Sequence, residues 1–583
     1  MSTASSFTTL QHLGERLLMK GPSNDSLMAT GTSNGITTTE CSPLLQKVKG
    51  SQDTRLQCHQ VSRSTRHYIL GALWAGTFFC NLNLTMVATL LPAITSEFKG
   101  SNQASWIGTA YLLSSCSFTP LYGRLCAILG RRAACQIALT ATALGTLLCG
   151  ISRNMVELSI ARFIAGVGAG ALQLLAMIVS ADLYSIRDLG LPQAFSSLSL
   201  ALGLGLGGPI GGILNDLFGW RIAFLCQVPP FVMVTIVATN TLCYVTPGQG
   251  QSAIEILSRI DFGGLITFFL MIGSTLTWLS TKFNDDLPWT DPQVVIPLIL
   301  SLLFLALLFV VECYIAPEPI FPPSLFREKV RVLVSLSNYF ASVCNFSVMY
   351  FIPLWFETVA LDSASIAGLH LLPHSLAMGL GSLMGGWFIH RTGKYVTLNV
   401  IFGLLPLSGL IPIILMREDS GFIPKWMSVF PIGFGNAVMF LTVLIAIQAH
   451  LPESSIPIGT AISQLFRGLG QISSVAIATA VFQSRLDVEL RERIHIPDAE
   501  RIISEIRHSL SLVRSLPPDL QRATRDAYAS SLRTVFVVAT FSLLVSYVLR
   551  LPIPEAAAMK EKNASTRPVD VESELHSHPG ARM

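Results

Sequence analysis

Leu121 to Arg132 reads LYGRLCAILGRR, with three arginines, two glycines and no acid between two long apolar runs. Charge that is excluded for about twenty residues on either side and then concentrated in one short stretch marks a turn at a membrane surface. Twenty apolar residues is the length that crosses a hydrocarbon core, and cytosolic loops collect Lys and Arg. Gly123 and Gly130 let the chain reverse within that turn.

Working outward, the chain has 583 residues, 51% hydrophobic and 13% charged, about half the usual roughly 25% charged content of a soluble domain. The expected fold class is all-α and polytopic, with fourteen spans at about 68–91, 105–122, 133–151, 156–181, 193–214, 222–244, 262–280, 293–313, 331–355, 364–389, 396–416, 426–449, 457–482 and 531–550. An even number places both tails on one side. Arg55, Arg63, Arg66, Arg124, Arg131, Arg132, Arg187, Arg259, Arg327, Lys329, Arg331, Arg391 and Lys394 then lie on that side. Lys99, Arg153, Arg221, Lys282, Arg417 and Lys425 lie on the other, so the tails are expected in the cytosol. The division this implies is a cytosolic tail 1–67, a six-helix bundle 68–244, a linker 245–330 with two inserted helices, a second bundle 331–550 with a long distal loop 483–530, and a cytosolic tail 551–583.

The net charge of +4 is small and scattered, which excludes a nucleic-acid partner. The 11 cysteines fall in spans or their cytosolic flanks and form no paired metal motif, so no metal or other cofactor is expected. No phosphate-binding loop G-x-x-x-x-G-K-[ST] and no supported catalytic triad is present, so the protein is not expected to be an enzyme, and its energy must come from a gradient. The expected partners are a small-molecule substrate and the lipid bilayer.

A second turn, GGWFIHRTGKY (Gly385 to Tyr395), repeats the glycine and cation spacing of the first after the tenth span. Two related turns imply two related halves, the usual build of a secondary transporter. At this point the residues resemble the major facilitator superfamily and, within it, the fourteen-span drug:proton antiporter branch. GRLCAILGRR, with Gly123, Arg124, Gly130, Arg131 and Arg132, resembles the signature between spans two and three. ARFIAGVGAG, around Arg162, resembles that of span four. GLGLGGPIGG, with Gly203, Gly207, Gly208, Pro209, Gly211 and Gly212, resembles the antiporter signature of span five. NLTMVATLLP in span one and FRGLGQ in span thirteen complete the set, covering roughly 68–550.

The resemblance implies alternating access by two six-helix bundles, with two helices inserted between them. Two positions depart from it. Ala127 stands where the loop signature carries an aspartate, so a looser cytosolic gate is expected, and Asn83 stands where the branch often has an acid in span one. An amide binds no proton at physiological pH, leaving the proton carrier unassigned.

Arg162 lies inside span four, where a charge costs about 2.5–3.5 kcal/mol or more unless it faces a cavity or a partner. It is read as a transport or coupling residue. Arg467 in span thirteen is expected nearer the cytosolic end. Asn81, Asn83, Thr85, Thr109, Tyr111, Asn338 and Asn345 are expected to line the cavity or bond neighbouring helices. Gly203, Gly207 and Gly211 share one helical face that admits a close neighbour, with Pro209 inviting a bend. His370 and His374, four apart, are expected on one face, able to titrate but lacking a third metal ligand. Asp498 to Leu516 is expected to form an amphipathic helix lying on the membrane or on neighbouring loops.

ECSPLL in the tail, with Glu40, Leu44 and Leu45, resembles an acidic dileucine signal read by a sorting adaptor for vacuoles. NDLFGWRIAFLCQVPP (Asn215 to Pro230) looks most like the fungal vacuolar basic amino acid transporters. The expected function is a proton-coupled antiporter moving basic amino acids from cytosol into the vacuole. The alternatives are a plasma-membrane multidrug exporter and a nutrient sensor that has kept the fold.

Overall fold

The computed structural model describes residues 62–98, 104–185, 188–242, 261–283, 287–316, 319, 328–452, 455–495, 499–508, 513 and 516–555. The sorting motif at Glu40, Leu44 and Leu45 lies outside the described residues.

The described chain is helical, with no strand among the described residues. The first half comprises α1 (Arg63–Phe98), α2 (Ala104–Ile128), α3 (Arg131–Ile151), α4 (Met155–Leu183), α5 (Gly190–Phe218) and α6 (Trp220–Thr241). Next come α7 (Phe262–Phe283) and α8 (Pro292–Ile315), the latter ending in a π-helical turn. The second half comprises α9 (Lys329–Thr358), α10 (Ile366–Thr392), α11 (Tyr395–Ile414), α12 (Phe422–Ala449), α13 (Ile456–Arg493) and α14 (Pro518–Arg550). Thirteen of these are long and apolar enough to cross a membrane. The remaining one, α2, is 25 residues long and stands where the second span is expected, its Ser and Thr residues making it more polar.

Local chemistry sets the helix ends. Asn154 caps α4 by accepting from Glu157 N at 2.8 Å, and Glu157 returns by accepting from Arg153 N at 2.8 Å. This reciprocal cap satisfies donors that a helix start leaves open. Gly130 has φ 86° and Gly393 φ 68°, the left-handed backbone that each cytosolic turn requires.

Within the first half, α1 packs on α5, and α4 packs on both α2 and α3; within the second, α10 packs on α12, and α9 on α13 and α14. The halves meet where α5 crosses α10 and α2 crosses α13. Glycines permit the closest approaches. A Cβ at Gly386 of α10 would lie 2.5 Å from Gly190 O and 2.7 Å from Ala194 Cβ of α5, and one at Gly123 of α2 would lie 2.5 Å from Ala461 Cβ of α13. All of these sit at the ends expected in the cytosol, and the mouth between the halves is shut there.

Several expectations are corrected. The stretch 483–530 is largely helical, because α13 and α14 run on to Arg493 and back to Pro518. The amphipathic segment forms the helix Ala499–His508, whose apolar face packs on helices rather than on loops. Ile503, Ile506 and Val513 are buried in one cluster with Leu486, Leu490 and Tyr528 of the α13 and α14 extensions, and Tyr528 donates to Ile506 O at 3.1 Å. The two adjacent helix extensions give these apolar side chains a surface on which to leave water. α5 is one continuous helix through Pro209.

Candidate functional site

Three polar assemblies lie inside this frame. The first surrounds Arg162, which is fully buried, about 10 Å along α4 from its distal start at 1.5 Å per residue. Its Nη1 donates to Asn83 Oδ1 of α1, its Nε donates to Ile107 O of α2 at 3.3 Å, and its guanidinium lies 4.2 Å from the Tyr111 ring centre. Asn83 Nδ2 donates onward to Gln227 Oε1 of α6 at 3.2 Å and to Thr146 Oγ1 of α3 at 3.4 Å. Tyr111 OH donates to Cys80 O at 2.9 Å. Five helices therefore converge on one cation through neutral groups, and Arg162 Nη2 has no hydrogen-bond partner. An acid at position 83 would have supplied the countercharge; the amide supplies only a dipole.

The second assembly is a cavity of ≈ 70 Å³ between the halves, lined by Ser115, Cys116 and Thr119 of α2, Gln173 of α4, and Gln464, Arg467 and Gln471 of α13, among others. At 10–15 Å³ per water position it has room for on the order of five waters, consistent with halves drawn together. Arg467 lies about 16 Å along α13 from its start at Ile456, nearer that end than the far one at Arg493. Its guanidinium sits 4.4 Å from the Phe440 ring centre and forms no ion pair among the described residues.

The third assembly is His374 of α10, Asn345 of α9 and Asn436 of α12. Asn345 Oδ1 accepts from Asn436 Nδ2 at 2.8 Å and lies 3.0 Å from His374 Nε2. His370 does not share this site, because the helix is interrupted between Leu369 and Leu372. Its ring is stacked instead between Phe356 at 3.6 Å and Trp426 at 4.0 Å.

The remaining expected residues serve helix contacts. Thr85 Oγ1 donates to Asn81 O at 3.3 Å and reaches Gly203 O at 3.5 Å, where α1 meets α5, and Asn338 Nδ2 donates to Ser463 Oγ of α13 at 2.6 Å. Gly203, Gly207 and Gly211 face α1, whereas Gly212 has nothing within 4 Å and Gly208 only Thr89 Cγ2 at 3.6 Å. In the cytosolic turn, Arg131 finds a carboxylate despite Ala127: its Nε and Nη2 donate to the two oxygens of Asp182, at 2.8 and 3.2 Å. A carboxylate is thus supplied to Arg131 from the end of α4. Arg124 donates to Pro319 O beyond α8, while Arg132 is exposed. His390 of α10 lies 3.2 Å from Asp188 ahead of α5, a further contact between the halves. Sequence reasoning missed Gln227, Gln173, Gln464 and Asn436. Polar side chains recurring inside otherwise apolar spans were the available signal.

A family model described as Major Facilitator Superfamily matches residues 73–475. The chain belongs to the major facilitator superfamily. It is a multi-pass membrane transporter and not an enzyme, as expected. The multidrug resistance protein fnx1 of Schizosaccharomyces pombe is 34% identical over 518 residues, covering 87% of this chain and 97% of that one. The vacuolar membrane amino acid uptake transporter fnx2 of the same yeast is 32% identical, covering 82% and 83%. The vacuolar basic amino acid transporter 1 of Saccharomyces cerevisiae is 28% identical, covering 72% and 78%. Among solved structures, the human organic anion transporter MFSD10 superposes with a TM-score of 0.54 at 15% identity, covering 82% of this chain and 99% of that one. That likeness is one of fold.

Proposed function

We propose that this transporter is a proton-coupled antiporter that moves amino acids, the basic ones foremost, from the cytosol into the vacuole. The observation that carries the reading is the cavity between the halves, where the Arg467 guanidinium has no protein carboxylate among the described residues and Gln173, Gln464 and Gln471 stand beside it. A guanidinium receives the α-carboxylate of an amino acid in fork geometry, and amide oxygens accept from its ammonium groups. Gln227, Asn83 and Arg162 then act beside the cavity as a polar joint among five helices rather than as the cavity wall. The similarity to vacuolar amino acid transporters supports the compartment, and the direction and a sorting adaptor acting on Glu40, Leu44 and Leu45 are parts of the same proposal.

A second reading, a multidrug exporter, is favoured by the similarity to fnx1 and by the lack of any acid in the cavity lining to meet a cationic side chain. Uptake of radiolabelled lysine, arginine and histidine into isolated vacuoles energised by a proton gradient decides between them. The expected result is uptake that depends on this protein and is lost in Arg467→Ala. Equal uptake with and without the protein, together with raised drug sensitivity in cells lacking it, overturns the proposal in favour of the exporter.

A further inference from the structure

The first half holds a buried cation that cannot give up its proton, because a guanidinium stays charged in proteins. The position beside it that could have titrated is Asn83. The second half holds a matching assembly. Asn436 stands seven residues into the helical segment Val429–Ala449, as Arg162 stands seven residues into α4, and each bonds an asparagine of the first helix of its half, Asn345 or Asn83. In the second half the third member is a histidine.

The hydrogen bonds specify its state. Asn345 Oδ1 already accepts from Asn436 Nδ2, and a carbonyl oxygen cannot donate, so the 3.0 Å contact to His374 requires a hydrogen on His374 Nε2. The lone pair of the neutral ring is then on Nδ1, which makes no hydrogen bond among the described residues. His374 is buried, yet its neighbour Ser375 touches the other half: a Cβ on Gly205 of α5 would lie 3.2 Å from Ser375 Cβ. Movement of α5 against α10 therefore uncovers the segment that carries His374.

We propose that His374 is the group that carries the coupled proton. Hydronium on the acidic side gives its proton to Nδ1, leaving water and forming an imidazolium whose Nε2–H remains bonded to Asn345 Oδ1. After the halves rock, the Nδ1–H bond breaks and the proton passes to water on the cytosolic side.

The groups that face His374 leave it without a competing charge. On α10 itself, His370 is one turn away in its aromatic sandwich, and His390 and Arg391 are at the far cytosolic end. α9 brings Cys344, Tyr339 and Tyr350, then Glu357 about 18 Å beyond Asn345, with Lys329 and Arg331 at the opposite end. α12 brings Lys425 about 16 Å before Asn436, and α5 brings Asp216 about 16 Å beyond Gly205. Cysteine and tyrosine release protons near 8.5 and about 10, above the working range, whereas histidine changes charge near neutrality.

This inference rests on the antiporter reading but not on its substrate. The test uses the full chain, its native cysteines replaced, with Ala461→Cys as a reporter of cytosolic opening, because Ala461 is buried against Gly123 while the mouth is shut. Labelling by an impermeant thiol reagent, divided at each pH by that of an exposed reference cysteine so that the thiolate fraction cancels, is followed from about pH 4 to 8, a range that extends below that of a solvated histidine. The reporter chain is expected to show a sigmoidal profile, and His374→Gln a flat one. Asn345→Asp places a carboxylate on Nε2–H, stabilises the imidazolium and moves the midpoint up by about one pH unit or more. This second variant is informative even if the first does not fold, since a merely structural role predicts no shift. An unchanged profile in His374→Gln, or an unmoved midpoint in folded Asn345→Asp, overturns the proposal. If both profiles move as expected while lysine, arginine and histidine do not accumulate, His374 stands as the carrier and the substrate reading fails.

Discussion

Gly386→Leu should hold the cytosolic mouth open. In the closed form a Cβ at position 386 lies 2.5 Å from Gly190 O, 3.0 Å from Gly190 C and 2.7 Å from Ala194 Cβ. Two of these are backbone atoms that no rotamer change can move, and a leucine adds three further carbons. Overpacking of a well-packed contact costs about 1–3 kcal/mol. Here that cost falls on the closed form alone, because the contact disappears when α5 and α10 separate. The equilibrium between closed and cytosol-open forms therefore shifts by roughly 5- to 150-fold toward open. The assay is impermeant thiol labelling of the Ala461→Cys reporter, with Gly212→Leu as the control, since nothing lies within 4 Å of a Cβ there. Labelling of Gly386→Leu should rise by that factor while Gly212→Leu stays within about twofold of the reporter chain. Equal labelling of the two variants would refute the argument that this glycine pair closes the mouth.

Three further outcomes follow from the geometry. Arg162→Lys should lose at least about tenfold in transport rate while still inserting, because an ammonium cannot meet Asn83 Oδ1 and Ile107 O while also lying flat on Tyr111; near-normal flux in the inserted variant contradicts this. Gly207→Leu forces a side chain onto Thr85 and the backbone of α1, and should lower thermal stability by about 1–3 kcal/mol, read as an earlier melt; an unshifted melt contradicts the contact. At the distal end of α1, Glu97 accepts from Trp220 Nε1 at 2.7 Å and from Arg221 Nη1 at 2.7 Å, and these bonds, the Trp220 one first, hold its carboxyl below its ordinary value of 4.5. A depressed value means that the stabilisation is present above about pH 4.5 and is lost as pH falls through the folded value. Melts of the native chain and of Glu97→Gln should differ at pH 5 to 7 and draw together as pH falls from 4.5 through the folded value, so mild acidity on the distal side leaves this contact intact; a constant difference down to pH 3 contradicts it.

The chain alone determined the spans, the repeated turns and the family, because burial in lipid demands long apolar helices and a turn such as LYGRLCAILGRR can only lie at an interface. Arg162, Asn83 and Tyr111 were each legible as polar positions inside apolar spans, where a charge or amide needs a partner. What the chain could not state was which polar residues meet. Asn83 finds Gln227 across 144 positions, and Asn345 finds Asn436 across 91. Such pairings depend on helix rotation and crossing, to which hydropathy is blind. The acid missing at Ala127 is supplied from Asp182 at the end of another helix, and His370 and His374, neighbours by spacing, are parted by a break between Leu369 and Leu372. Tertiary packing decided these because a hydrogen bond in an apolar interior forms with whichever helix face lies about 3 Å away, and that face is chosen by the glycine contacts between helices.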